Sequence, residues 1–258
     1  MRVEPQEGSQ EEICRINFLS KTYNLVLPKG DYISNHILNT GRPYESDLLS
    51  FLLKLLKREQ TIIDVGANIG NHAICLAVLA KVRVHAFEPN TKAIGFLRHN
   101  VRLNELEQFV QIYEVAVGNN NSFCDIIQGI EGNLGSARVQ MNANGSIPIV
   151  KLDEILVNTP IHLIKIDVEG SERDVLLGAK NILETYHPIV VLEAHDLHKR
   201  ARIDEILMPL SYLRVPVVYA YTPTYVYTTS PYVVLRAMLS IRFIKQKLIK
   251  LLRMIKLV

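Results

Sequence analysis

The chain has 258 residues, 48% of them hydrophobic and 21% charged, enough for a sizeable buried core, which excludes disorder as its general state. Its net charge of +3 is uneven: residues 231–258 hold seven Lys or Arg and no acid, so residues 1–230 carry 22 basic against 26 acidic groups, a net of −4. A mildly acidic body excludes a nucleic-acid footprint spread over it, and sets the basic tail apart.

In chain order, Gly41-Arg-Pro-Tyr-Glu45 reads as a loop leading into a helix over 48–57, with Ser46 or Asp47 as cap. Residues 61–65 (TIIDV) predict a buried strand, Gly66 to Gly70 a turn, and 71–80 a helix. A second strand over 82–87 ends at Glu88 and Pro89, and Asn90 caps a helix from Thr91 to about Leu103. Strands follow at 110–117, 161–168 and 188–194, with a helix over 171–185 between the last two. The Asn-, Gly- and Ser-rich stretch 119–146 predicts loops around edge strands at 122–127 and 134–140, of the kind that sit near ligands. Residues 212–229 read as a terminal hairpin turning at Thr222 to Thr224. This alternation predicts an α/β fold with a mainly parallel sheet, helices on both faces and that antiparallel hairpin at its end. The division is an N-terminal extension and cap segment (1–57), a body (58–230) and a C-terminal amphipathic helix (231–258).

Chemistry concentrates at strand ends. Asp64-Val-Gly66-Ala-Asn68-Ile-Gly70 lies between a strand and a helix, where glycines let backbone N–H groups and the helix start approach a ligand. It lacks the third glycine of G-x-G-x-x-G, so a dinucleotide fits less well than a ligand with a carboxylate and an amine. Asp64 would supply a complementary charge and Asn68 an amide. Glu88, at the tip of the next strand, is placed to accept hydrogen bonds from both hydroxyls of a ribose. An adenosine joined to an amino acid is S-adenosylmethionine. Further on, strand alternation puts Lys165, Asp167 and Glu169 on one side, with the two acids at the carboxyl end. Lys165 and Asp167 read either as a structural ion pair or as a tuned catalytic pair, and Glu169 as a ligand-side group or a helix-entry residue. Glu193 and His195 share one face of the next strand end; with Asp167 they would form an acidic pocket for a hydroxyl, a base relay or a divalent cation, or else cap helices. No spacing is diagnostic of a metal.

The phrases Gly41–Glu45 (GRPYE), Asp64–Gly70 (DVGANIG), Phe87–Pro89 (FEP), Val115–Gly118 (VAVG), Val150–Leu156 (VKLDEIL), Lys165–Glu172 (KIDVEGSE) and Leu192–His195 (LEAH) together resemble the FkbM family of S-adenosylmethionine-dependent methyltransferases over roughly residues 30–228. The resemblance implies a Rossmann-like class I methyltransferase fold that methylates mainly hydroxyls of sugars, polyketides or other metabolites. Carried over, Asp64, Gly66, Asn68 and Gly70 hold the methionine end of the cofactor, Glu88 its ribose, and Val115 and Ala116 flank the adenine. Asp167 borders the methyl group and acceptor. From the mechanism of methyl transfer itself, Asp167, Glu193 or His195 would supply the base, with Lys165 tuning Asp167. Tyr44, Glu45, His72 and Glu169 fall on the acceptor side; His72 stands where similar sequences often carry an aromatic residue. A methyltransferase acting on nucleic acid or protein is the second reading, and a non-catalytic cofactor-fold module at a membrane the third.

On a helical wheel the tail separates an apolar stripe, Ala237 to Val258, from all seven basic groups, as a helix lying on an anionic membrane surface does over residues 233–258. Packing on the body, or on a second copy in a homodimer, is the alternative. Cys14, Cys75 and Cys124 are odd in number and outside any C-x-x-C spacing, and the opening MRVEPQEGSQEE is acidic and polar, which together suggest a cytoplasmic protein, peripheral at the membrane face if the tail binds there.

Overall fold

The computed structural model describes residues 11–194, 196–219 and 223–238. The chain opens with a hairpin of β1 (Glu11–Phe18) and β2 (Lys21–Pro28), then α1 (Tyr32–Thr40), α2 (Ser46–Leu52) and β3 (Thr61–Val65). Strands and helices next alternate through α3 (Asn71–Ala80), β4 (Arg83–Phe87), α4 (Thr91–Leu103) and β5 (Val110–Tyr113). A side branch follows, made of β6 (Ala116–Val117), β7 (Ser122–Ile127), β8 (Arg138–Met141) and β9 (Ile147–Val150). After α5 (Leu152–Ile155), the main sheet resumes with β10 (Leu163–Ile166), α6 (Glu172–Leu177), α7 (Lys180–Tyr186) and β11 (Ile189–Glu193). The last described elements are α8 (Leu197–Leu207), β12 (Leu213–Arg214), β13 (Thr224–Thr228) and α9 (Pro231–Met238).

The main sheet has the order β12-β13-β11-β10-β3-β4-β5. The strands from β11 to β5 are parallel, and β13 runs antiparallel to both its neighbours. This is the mainly parallel sheet with a terminal antiparallel hairpin that the alternation predicts. Thr224, expected in the turn, instead opens β13 and bridges to Tyr219. The chain leaves β3 in one direction toward β4 and β5 and returns on its other side at β10, so a crevice opens at the carboxyl ends of β3 and β10.

Alternating residues divide the core between two faces. Ile62, Val84, Leu163 and Val191 pack under Leu49, Ile74, Leu97 and Val101 of α2, α3 and α4. Ile63, Phe87, Ile164 and Leu192 pack against Leu152, Leu176, Leu183 and Ile203 of α5 to α8. Residues 11–57, expected as an extension and cap, share the first core: Ile16, Leu25 and Leu27 of the hairpin are fully buried in it. Asn100 on α4 and Asn104, which caps its C-terminus, hold that hairpin. Asn100 accepts from Val26 N at 2.6 Å and donates to Val26 O and Ile69 O, while Asn104 accepts from Asn24 N and donates to Asn24 O. The free edge of β2 is thereby satisfied by side chains.

Three elements depart from their predicted extents. The strand expected over 110–117 splits, because Ala116 and Val117 leave the main sheet to pair with β9. The helix expected over 171–185 breaks at Gly178, where a Cβ would come within 1.9 Å of Gly118 O; Asp153 then caps the second piece, accepting from Asn181 N and Ile182 N. The helix expected over 48–57 ends at Leu52, as Lys54 N and Leu55 N bond only three residues back. Of the basic tail, only α9 belongs to the described residues. It buries Val233 and Ala237 against β12 and β13 and exposes Tyr232, Leu235 and Met238; residues 239–258 lie outside the described residues. Among the described residues no helix is long and apolar enough to cross a membrane.

Candidate functional site

A cavity of about 600 Å³ opens at the carboxyl ends of β3, β4, β10 and β11. Its floor follows from strand periodicity. Leu163 points into the core beneath α3, so Lys165 and Asp167 share its side and rise toward the cavity; Val191 places Glu193 likewise on the neighbouring strand. The parallel register sets Lys165 directly opposite Asp64.

Lys165 Nζ lies 3.1 Å from Asp64 Oδ1 and 3.5 Å from Asp167 Oδ2, and donates to Gly66 O at 3.4 Å. Burial alone would discharge this lysine, but the carboxylates of Asp64, Asp167 and Glu45 outweigh it and hold the ammonium above the ordinary lysine value. Burial also pushes the Asp167 carboxyl up; the Lys165 charge and a hydrogen bond from Glu193 overcome that and keep it below the usual carboxylate range.

The glycine turn forms one wall. Gly66 has φ 75°, and a Cβ there would lie 1.9 Å from Asp167 O, so only glycine lets β3 and β10 end this close together. Asn68, at φ 50°, donates its backbone N–H to Glu88 Oε2 at 2.8 Å, and Asn90 N donates to Glu88 Oε1 at the same distance. Burial pushes the Glu88 carboxyl up to about 7, against which these two N–H groups and Lys165 pull down. Asn68 Oδ1 and Asn90 Nδ2 are buried without a hydrogen-bond partner among the described residues, although both side chains line the cavity. An unpaired acceptor and an unpaired donor flanking a carboxylate are unfavourable in an empty pocket and suit a polar ligand.

The opposite wall is the loop before α2. Tyr44 and Asn71 exchange two hydrogen bonds, Tyr44 N to Asn71 Oδ1 at 3.0 Å and Asn71 Nδ2 to Tyr44 O at 3.1 Å, tying this loop to the start of α3. Beside them His72 Nε2 lies 3.1 Å from Glu45 Oε2, both side chains almost wholly buried. The roof comes from Ile130 to Gly135 and from Tyr32, Ile33 and Asn35. Asp31 joins its two halves, accepting from Leu134 N at 2.9 Å and from Ser34 N and Oγ, while Tyr32 N donates to Gly132 O.

Of the residues singled out from sequence, Gly66, Asn68, Glu88, Lys165, Asp167, Glu193, Tyr44, Glu45, His72 and Glu169 line this one cavity. Glu169 lies at the rim, 3.9 Å from Arg138. Four others do not line it. Asp64 is 1% exposed behind Lys165, whose charge it neutralises instead of facing a ligand amine. Gly70 starts α3 at φ 92° and packs against Leu97 and Ile74. Val115 sits against the second core, and Ala116 has left for the side sheet. His195 lies outside the described residues. The roof and the unpaired amide of Asn90 were not singled out; the Asn-, Gly- and Ser-rich composition of 119–146 was the only signal of the former.

A family model described as "Methyltransferase FkbM domain" matches residues 64–214. The hexuronic acid methyltransferase AglP of Haloferax volcanii is 29% identical over 157 residues, 58% of this chain and 62% of that protein, so the chain spans less than two thirds of this relative's length. Among solved structures, the methyltransferase FkbM from Methylobacillus flagellatus superposes with a TM-score of 0.55 at 20% identity, covering 72% of this chain and 48% of that one. The T. thermophilus 16S rRNA N2 G1207 methyltransferase, solved with AdoMet and guanosine, gives 0.51 at 15% identity over 87% of this chain and 52% of its own. At such identities the two structures establish the fold, the Rossmann-like class I methyltransferase arrangement.

Proposed function

The chain belongs to the FkbM methyltransferase family, and on that footing we propose that it transfers a methyl group from S-adenosylmethionine to a hydroxyl of a sugar or glycan precursor. The observation that carries the cofactor assignment is the pair of unpartnered buried amide atoms, Asn68 Oδ1 and Asn90 Nδ2, on either side of Glu88 in the cavity. Gly66, Asn68 and the start of α3 hold the amino-acid end, Glu88 accepts from the ribose hydroxyls, and Asn90 donates toward the nucleoside. When bound, S-adenosylmethionine supplies a methyl group on a positively charged sulfur.

The protein's part is positioning and proton management. Asp167, kept ionised by Lys165, accepts the acceptor's hydrogen bond and orients its oxygen; Glu193 fixes Asp167 from the side. Besides Lys165 and His72, the charged groups lining the cavity are carboxylates: Glu45, Glu88, Glu131, Asp167, Glu169 and Glu193. That field favours a sugar hydroxyl over a carboxylate as the group methylated. The named relative acts on a hexuronic acid, which supports a sugar as the acceptor class. Calorimetry tests the cofactor assignment. S-adenosylmethionine should bind, Asn68→Ala should weaken it at least about tenfold for one lost hydrogen bond, and NAD should not bind. Equal affinity of the variant would overturn the placement.

A second proposal concerns location. Seven basic and no acidic groups in residues 231–258, together with the exposed Tyr232, Leu235 and Met238 of α9, support association with an anionic membrane surface. The full chain should sediment with phosphatidylglycerol vesicles at low salt. Replacing Lys245, Lys247 and Lys250 with Glu should leave it in the supernatant, and unchanged sedimentation would refute the reading.

A further inference from the structure

The cavity has two chemical zones. Its floor is lined with carboxylates, whereas its mouth is apolar: Tyr32 and Ile130 line it yet stay 53% and 70% exposed, and Ile33, Leu134 and Val139 share the lining. Large apolar side chains left open inside a concave site mark where a ligand brings apolar surface of its own. Tyr32 is held firmly. It opens α1, whose first turn Asp31 caps through Ser34 N, and its own N–H donates to Gly132 O at 2.8 Å, so its backbone is tied to both the helix and the roof. Its ring meets that of Tyr44 edge to face, with centroids 6.2 Å apart at 76°, and Tyr44 meets His36 in the same way at 5.3 Å and 90°. Such a contact covers at most one face of Tyr32. Burial and, after it, Glu45, Tyr32, Asp167 and Glu193 push the Tyr44 hydroxyl above its ordinary value, so it stays neutral and lies within electrostatic reach of Asp167. An aromatic wall thus runs from the catalytic end of the cavity to its mouth.

A pyranose ring matches both zones. Its hydroxyls radiate from the ring edge as hydrogen-bond donors, and its faces present C–H groups of weak positive polarity, complementary to the negative face of an aromatic ring. Ionised carboxylates only accept, so a floor of Asp167, Glu169 and Glu193 suits several hydroxyls at once. Resting on the methyltransferase reading above, we propose that Tyr32 is the platform on which the acceptor's pyranose ring stacks, and that it selects a sugar ring over an open-chain alcohol. With one C–H face on Tyr32, the ring edge turns toward the floor, where Asp167 receives one hydroxyl. A tyrosine has two side-chain torsions to fix and this one has its backbone already held, so stacking costs little ordering. The contact is made in the bound substrate and in the transition state alike, so it acts on KM and leaves kcat unchanged.

Two measurements on the full chain test this. Labelled methyl transfer from trideuteromethyl S-adenosylmethionine, followed over dilutions of one extracted sugar-nucleotide pool, gives a plateau rate and a half-saturating concentration. Tyr32→Ala should raise that concentration about tenfold with the plateau within about twofold and the melting temperature unchanged, while Tyr32→Phe and Tyr32→Trp, which keep a ring, stay close to the original. An unmoved half-saturating concentration in Tyr32→Ala, or a Tyr32→Phe as impaired as Tyr32→Ala, would overturn the platform. Absence of transfer even by the unaltered chain would overturn the methyltransferase reading instead, and the second measurement then reads the platform alone. The chain has no tryptophan, so Tyr32→Trp carries a single indole at the proposed contact. Without cofactor, its fluorescence should change saturably with at least one of the methyl pyranosides of glucose, galactose and mannose. Glucitol, which has the hydroxyls and no ring, should give no saturable change. No response to any pyranoside, or an equal response to glucitol, would contradict the proposal.

Discussion

Glu88 offers a prediction whose size follows from its surroundings. The carboxyl is 7% exposed, accepts one backbone N–H on each oxygen, and has its pKa pushed by burial from 4.5 to about 7. Each oxygen keeps a lone pair for a ribose hydroxyl, and such donors stabilise the charged form, so binding should expel the proton. With a free-protein value near 7, affinity for a ribose ligand should be about tenfold weaker at pH 6 than at pH 8, with about 0.9 protons released at pH 6. The probe of choice is 5′-methylthioadenosine, which keeps the ribose and has no group titrating in this range. Calorimetry in two buffers of different ionisation enthalpy reads affinity and proton release together. Glu88→Gln should flatten the pH profile. The same residue affects stability with the opposite slope: because the folded state holds the proton more tightly, stability without ligand should fall as pH rises from about 4.5 to 7, by about 3 kcal/mol from this group. A flat binding profile with no proton release would refute the assignment of Glu88 to the ribose.

Other substitutions separate structure from chemistry. Gly66→Ala would place a methyl group 1.9 Å from Asp167 O at φ 75°, and should cost at least about 3 kcal/mol in urea unfolding as well as cofactor binding; Gly95→Ala, in α4 with nothing within 4 Å, should instead stabilise by up to about 1 kcal/mol. Lys165→Met leaves Asp64 and Asp167 without their buried counter-charge and should destabilise by about 3–5 kcal/mol at neutral pH, with partial recovery on acidification as the carboxylates protonate. Asp31→Ala removes the acceptor for Leu134 N and Ser34 N; it should loosen the cavity roof by about 2 kcal/mol, read as about thirtyfold faster amide exchange at Leu134 with little change in melting temperature.

The mainly parallel sheet and most of the cavity were legible because each rests on local pattern. Period-two alternation in KIDVE placed Lys165 and Asp167 on the ligand side, and the glycine spacing after Asp64 announced the turn. What stayed hidden depends on distant partners. Asp64 follows the same pattern as a ligand-facing acid, and only its register opposite Lys165 turns it toward an internal charge. The hairpin of β1 and β2 rests on Asn100 and Asn104, some seventy to eighty residues away, which read locally as ordinary polar helix positions. Gly178 divides a helix because of Gly118, a contact with no trace in helical periodicity. The roof latch at Asp31 likewise joins segments a hundred residues apart, so composition indicated a ligand-side loop and nothing told which residue fastens it.

The central claim is methyl transfer to a sugar hydroxyl, and it is tested most directly with trideuteromethyl S-adenosylmethionine and extracted sugar nucleotides and glycolipids, read by mass spectrometry before and after mild alkali. The expected product carries one labelled methyl group that survives alkali, as an ether does. Label lost in alkali would identify a carboxylate acceptor, and label found only in nucleic acid or protein would identify a macromolecular one; either result contradicts the account.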